Sequence, residues 1–211
     1  MDEIKLVCLD LDETIISHNS WFDLGIALGI TPEEDKRLYD LYKAGTITYE
    51  EWNSHVLAHY LKHGDANREG VTKILSSYTF NDGAREAVEY LKAQKYEIVL
   101  ISGSIDIIVD NVARDLGIQY RKANNAFEFD EHNRLKYIRS YGNDTLAKLA
   151  HLESFCEMLG IQIEECACIG DGANDIAMFR KTTHGITFAN SPIKDEAWKI
   201  IDSLHDIQKI L

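Results

Sequence analysis

The sequence predicts an α/β fold: a doubly wound parallel sheet into which a helical cap is inserted. Three observations predict it. Four short apolar runs, IKLVCLD (4–10), YEIVLIS (96–102), ECACIGD (165–171) and THGITFA (183–189), are separated by amphipathic helical patterns, the alternation that builds a parallel sheet. Residues from about His18 to Tyr78 break that alternation with helical spacings and no strand-like run. The 211 residues, 45% apolar and 27% charged, suffice for one packed core plus an insertion.

The first apolar run opens the chain and ends on Asp10, with Asp12 beyond it. The insertion follows at once, carrying Leu38, Leu41 and Tyr42, then Trp52, Val56 and Tyr60 at helical intervals. GAREAVEYLKAQ returns to the core as a helix whose Ala84, Ala87, Val88 and Leu91 fall at i, i+3, i+4 and i+7. After the second strand, NAFEFDEHNRLKYI alternates on both sides of DEHN and reads as a β-hairpin. NDTLAKLAHLESFCEMLG is a helix capped by Asp144 and stopped by Gly160, with Leu146, Leu149, Leu152 and Leu159 as its apolar stripe. The expected division is therefore a core of residues 1–16 and 79–211, with a small hairpin flap at about 125–139, and a cap of residues 17–78.

Composition limits the partners. Lys and Arg total 22 against 35 Asp and Glu, a net charge of -13, so the field of the chain repels nucleic acid and anionic membrane surfaces. MDEIKLV lacks the basic n-region of a signal peptide, and no run approaches the roughly 20 apolar residues of a membrane span, which reads as a soluble, cytoplasmic chain. Cys8, Cys156, Cys166 and Cys168 lack the spacing of a zinc or disulfide framework and read as buried thiols. Nothing in the sequence fixes the oligomeric state.

Four features carry chemistry. Asp10 and Asp12, two residues apart in extended chain, project from one face at the carboxyl end of the first strand, where open parallel sheets bind ligands. CIGDGANDIAMF places Asp171, Asn174 and Asp175 in a turn after another strand. A dinucleotide turn would carry glycine where Asp175 stands, and an EF-hand counted from Asp10 fails at Ile15 and Trp21. What remains is hard-cation chemistry, suited to Mg²⁺ completed by substrate phosphate oxygens. LISGSIDI ends a strand in Ser102, Gly103 and Ser104, small enough for an anion to approach at a helix N-terminus. Lys148 lies near the start of its helix, off the leucine stripe, where the macrodipole disfavours a cation.

In this order, DLDET, SGS, Lys148 and GDGAND resemble the four motifs of the haloacid dehalogenase superfamily, across essentially the whole chain, and most closely its phosphoserine phosphatase-like branch. The resemblance implies a Rossmann-like core with a helical cap and a Mg²⁺-dependent phosphomonoester hydrolase acting on a small phosphorylated metabolite. It makes Asp10 the nucleophile and Asp12 the acid and base. Asp10, the Asp12 carbonyl and Asp171 become metal ligands with Asp175 behind them, while Ser102, Gly103 and Lys148 hold the phosphoryl group. Thr14 and Asn174 support the loops and the nucleophile. Two positions depart from the branch, whose acidic residue for the serine ammonium and cap arginine for its carboxylate fall at Asn19 and Val56 here. Asn19, Trp21, Tyr49 and Trp52 are candidates to line a less charged pocket, and His18, His55, His59 and His63 read as solvated or packing residues. A phosphotransferase using an acceptor alcohol, and a non-enzymatic phosphate or metal sensor, are the competing readings.

Overall fold

In the computed structural model, which describes residues 3–211, seven strands form one sheet in the order β4-β3-β2-β1-β5-β6-β7. β1 (Leu6–Leu9) lies at its centre, parallel to β2 (Glu97–Ile105) on one side and β5 (Cys166–Ile169) on the other. β6 (Gly185–Phe188) and β7 (Lys199–Ile201) continue the parallel sheet beyond β5. β1 alternates its side chains between two cores, as a doubly covered strand must. Val7 and Leu9 join the cluster that takes Val88 and Leu91 of α5 (Ala84–Ala93) and Val112 of α6 (Asp106–Leu116). Leu6 and Cys8 join the other, with Leu152 and Phe155 of α7 (Asp144–Leu159) and Met178 and Phe179 of α8 (Ile176–Thr182). The four cysteines are free and buried, with the Cys156 and Cys166 sulfurs 3.4 Å apart.

The four apolar runs are the strands β1, β2, β5 and β6. The hairpin expected at about 125–139 is present, but the strand that leads into it and the last strand of the sheet escaped the sequence reading. β3 (Tyr120–Phe129) pairs parallel to β2 through Tyr120–Ala123, and only then turns into an antiparallel hairpin with β4 (Leu135–Ser140). The expected flap is thus the edge of the main sheet. Its first half reads as loop because Arg121 and Lys122 are exposed; β7 is a three-residue edge strand.

Residues 17–78 hold α1 (Ser20–Ala27), α2 (Pro32–Lys43), α3 (Tyr49–Tyr60) and α4 (Arg68–Ile74) and no strand. Asn19, Thr31, Thr48 and Asn67 cap them by accepting a backbone N–H from the first turn. The chain leaves and rejoins the core side by side: Ile16 bridges Phe80, the Ser17 N–H donates to the Thr79 carbonyl (2.9 Å), and the Asn81 N–H to that of Ile15 (2.9 Å). On the far side Asn67 bridges Arg134 in the β3–β4 hairpin, and the Arg68 N–H donates to the Asn133 carbonyl (2.8 Å).

Candidate active site

The order of strands reverses at β1, and a crevice opens beyond the carboxyl ends of β1, β2 and β5. Asp10 and Asp12 follow β1, Ser102 and Gly103 sit late in β2, and Asp171 follows β5, so three sequence-distant motifs meet on adjacent strand ends. The crevice is part of a cavity of about 1020 Å³ shared with the cap helices.

Lys148 is its electrostatic hinge. It lies fully buried one turn into α7, its Nζ 2.7 Å from Asp10 Oδ1 and 2.8 Å from Asp175 Oδ1. Burial opposes its charge, and Asp10 and Asp175 overcome that and hold the ammonium well above the usual lysine range. The stripe assigned from sequence needs correcting here. Leu146 is 67% exposed while Lys148 is fully enclosed, because the inward face of this first turn is the site rather than the apolar core. The helix is also capped by Asn143, whose Oδ1 accepts from the Thr145 and Leu146 N–H groups, and not by Asp144.

The carboxylates of Asp10, Asp171 and Asp175 each offer an oxygen within 4.8 Å of the others. Burial pushes the Asp10 carboxyl up, Lys148 draws it back, and Asp175 and Asp171 push it up further. Burial, then Asp175, raise Asp171 to about 6. Lys148 thus balances only part of a concentrated negative charge, and an all-oxygen donor set with surplus negative charge fits a hard divalent cation such as Mg²⁺. Among the described residues no other group of this kind assembles: His18, His59 and His63 each face a separate cap carboxylate.

Asp175 is placed by its turn. Its Oδ2 accepts from the Gly172 N–H (3.1 Å), and its carboxylate packs so close to Gly170 that a Cβ there would lie 2.4 Å from Asp175 Cγ, so only glycine fits. Thr14 Oγ1 donates to Asp171 Oδ1 (3.1 Å), tying the loop after β1 to the loop after β5.

The Asp12 carboxylate stands apart from this cluster. It accepts from the N–H of Ser20 (3.1 Å) and from its hydroxyl (2.9 Å), at the first turn of α1. Burial raises it to about 6 although both Ser20 bonds pull the other way. Ser20, itself buried and in contact with the Ser104 hydroxyl, was not singled out from sequence.

β2 corrects one expectation. It continues through Ser102, Gly103 and Ser104 to Ile105, with a register shift against β3, so these residues belong to an irregular strand end and not to the N-terminus of α6. Ser102 is buried and its Oγ accepts from the Ser104 N–H (3.0 Å). Gly103 lies under Asp144 and Asn174, which a Cβ would approach to 3.1 and 3.3 Å. Its carbonyl accepts from Trp21 Nε1–H (3.2 Å) and Asn125 Nδ2–H (2.7 Å).

Of the residues assigned to the pocket, Asn19, Trp21, Tyr49 and Trp52 all line it, as does Asn174. Asn19 Oδ1 is occupied as the cap of α1, accepting from the Phe22 N–H (3.0 Å), and Val56 is buried in the wall. Sequence reasoning missed a polar seam between cap and core. Tyr49 of α3 donates from its hydroxyl to Asp144 Oδ1 (3.1 Å) and accepts from Asn125 Nδ2 (3.0 Å), while Asn124 also bonds Asp144.

Comparison with known proteins agrees with this geometry. Residues 4–182 match the haloacid dehalogenase-like hydrolase family. The phosphoserine phosphatase of Methanocaldococcus jannaschii is 30% identical over 210 residues, covering 98% of this chain and 96% of its own, and that of Streptococcus thermophilus is 27% identical over 222 residues, covering 99% and 100%. Among solved structures, a phospho-aspartyl intermediate analogue of phosphoserine phosphatase superposes with a TM-score of 0.83 at 28% identity, and a substrate-bound phosphoserine phosphatase complex with 0.83 at 27%, each over 100% of both chains. With its motif residues gathered at one switch point under a cap, this chain belongs to the haloacid dehalogenase-like hydrolase family and is a phosphatase of its phosphoserine phosphatase-like branch.

Proposed function

We propose that the protein is a Mg²⁺-dependent phosphomonoesterase for a small phosphorylated metabolite, working through an aspartyl-phosphate on Asp10. One observation carries the reading: two carboxylates two residues apart in sequence sit in opposite environments. Asp10 lies 2.7 Å from the buried Lys148 ammonium and inside the carboxylate cluster, whereas Asp12 stands outside that cluster and is oriented by the N–H and hydroxyl of Ser20. Environments that separate two carboxyl groups assign them different work.

An Asp10 oxygen attacks phosphorus as the bond to the alcohol oxygen breaks, and Asp12 gives its proton to the departing alkoxide. Asp12, now ionised, takes a proton from water as that water attacks the phosphorus, and the bond to Asp10 breaks to release inorganic phosphate. Lys148, the Ser102 hydroxyl and the Gly103 N–H hold the phosphoryl oxygens, and Asn174 supports them from the opposite loop. Asp10, the Asp12 carbonyl and Asp171 would hold Mg²⁺ with Asp175 behind them; when bound, the ion supplies the positive charge that lets one anion approach another. Residues 17–78 act as a lid on the core of 1–16 and 79–211, hinged where Ile16 meets Phe80.

Inorganic phosphate release from a panel of monoesters tests this. The expected result is turnover that requires Mg²⁺ and is abolished in Asp10→Asn. Turnover surviving in a pure preparation of that variant overturns the assignment of the nucleophile.

A further inference from the structure

The cavity extends well beyond the space a phosphoryl group fills, and its cap-side walls take no part in the chemistry above. α2 turns Asp35, Tyr39 and Tyr42 toward it, and α3 turns Trp52 and Val56. Asp35 is the anomaly on this surface. It is partly buried, and among the described residues nothing donates to its carboxylate; burial alone acts on it, pushing it above the usual range. An acid in the first turn of a helix is favoured by the macrodipole, but Glu33 and Glu34 already provide that, and Glu34 is paired with Arg37 and His59. The macrodipole does not account for a third carboxylate turned into a cavity and left without a cation.

The surroundings specify what would satisfy it. Tyr42 and Trp52 lie with ring centres 5.0 Å apart, and Tyr39 and Trp52 6.2 Å apart, so these rings pack on one another along one wall of the cavity. Among the described residues that line the cavity, the only lysine or arginine is Lys43, which is exposed and lies 5.9 Å from the centre of the Tyr39 ring. A partly desolvated carboxylate beside π faces is the environment that attracts an ammonium group. A second carboxylate placed there would meet Asp35 and Asp23 as like charges, with the rim lysine alone in its favour.

We infer that the leaving alcohol carries an ammonium and no carboxylate: the substrate class is phosphate monoesters of amino alcohols, with Asp35 and the rings of Tyr42 and Trp52 forming the ammonium subsite. The inference rests on the phosphomonoesterase reading above. Asp35 is a specificity residue here and touches none of the reacting atoms.

The test compares kcat/KM for O-phosphoethanolamine, phosphocholine, the neutral analogue ethylene glycol phosphate, and phosphoserine, each with Mg²⁺, in wild type and in Asp35→Asn. Wild type is expected to favour the two cationic esters over the neutral one by about tenfold or more, and over phosphoserine, as one desolvated charge contact allows. In Asp35→Asn the ratio of cationic to neutral ester is expected to fall to near one. That ratio is taken within a single preparation, so it does not depend on the folded fraction. Equal turnover of cationic and neutral esters, preference for phosphoserine, or a preference that survives in Asp35→Asn overturns the inference while leaving the phosphomonoesterase reading intact. Failure of wild type to release phosphate from any of the four, the neutral ester included, overturns that reading and the inference with it.

Discussion

Ser20 is the side chain that aims Asp12 for the acid and base work proposed for it. It comes from the first turn of the cap, yet its N–H and hydroxyl both donate to Asp12. Ser20→Ala keeps the N–H and removes the hydroxyl bond, so Asp12 loses one of the two contacts that aim it. The expected outcome is a kcat lowered about tenfold with KM nearly unchanged, part of the hundredfold or more that a positioned acid-base group supplies; steady-state phosphate release checks it. Asp144 gives a second prediction. Burial pushes its carboxyl up despite the bonds from Asn124 and Tyr49, so ionising it costs stability as pH rises from the unfolded value toward neutrality. Asp144→Asn is therefore expected to raise the melting temperature at pH 7, with the gain disappearing below about pH 4, where the carboxyl is protonated in both states. The motif residues were legible because their meaning lies in short spacings: Asp10 to Asp12, Ser102 to Gly103, Asp171 to Asp175. Ser20, Asp144, Asn124 and Asn125 were not, since each acts across the junction of cap and core and no local pattern marks such a partner.

At the scale of elements, the turn after β5 and the seam under α3 decide whether the site holds together. A methyl group on residue 170 cannot coexist with Asp175 in its present place, and moving Asp175 removes one of the two anchors of Lys148. Gly170→Ala is expected to lower activity by about 100-fold, as misplacement by about 1 Å does, and to cost about 1–3 kcal/mol of stability as overpacking; phosphate release and thermal unfolding measure the two. Tyr49→Phe removes the hydroxyl that joins α3 to Asp144 and Asn125, at a cost of about 1 kcal/mol. Amides of α2 and α3 should then exchange faster with solvent while those of α5, whose Val88 and Leu91 pack in the cluster of Val7 and Leu9 of β1, do not change; equal exchange in wild type and variant would show that the seam does not hold the cap. The same contrast explains what the sequence revealed of the elements. α5 was read correctly because its inward face is uniformly apolar, whereas α7 buries a lysine and exposes a leucine for the sake of the site, and so its first turn was read with the wrong face inward. β3 was half missed because an exposed stretch with consecutive basic residues reads as loop until a neighbouring strand supplies its partner.

Across the whole molecule, the alternation of apolar runs and helices was enough to fix a doubly wound sheet, since a central strand covered on both faces must be continuously apolar and β1 and β5 are. The charge of the chain has a consequence that the local site does not cancel. At a net charge of -13, a phosphate monoester approaches a protein of its own sign and is drawn in only once it is close to Lys148. Repulsion of that kind reaches about 30 Å at 0.01 M salt and about 8 Å at 0.15 M. For ethylene glycol phosphate at saturating Mg²⁺, kcat/KM is therefore expected to rise as salt increases over this range, because screening removes the long-range penalty and leaves the buried contacts almost untouched. An ester whose ammonium cancels part of the phosphate charge should show a shallower rise. A fall with salt for both esters would mean that a local positive potential at the mouth of the cavity, and not the acidic whole, governs the approach of substrate.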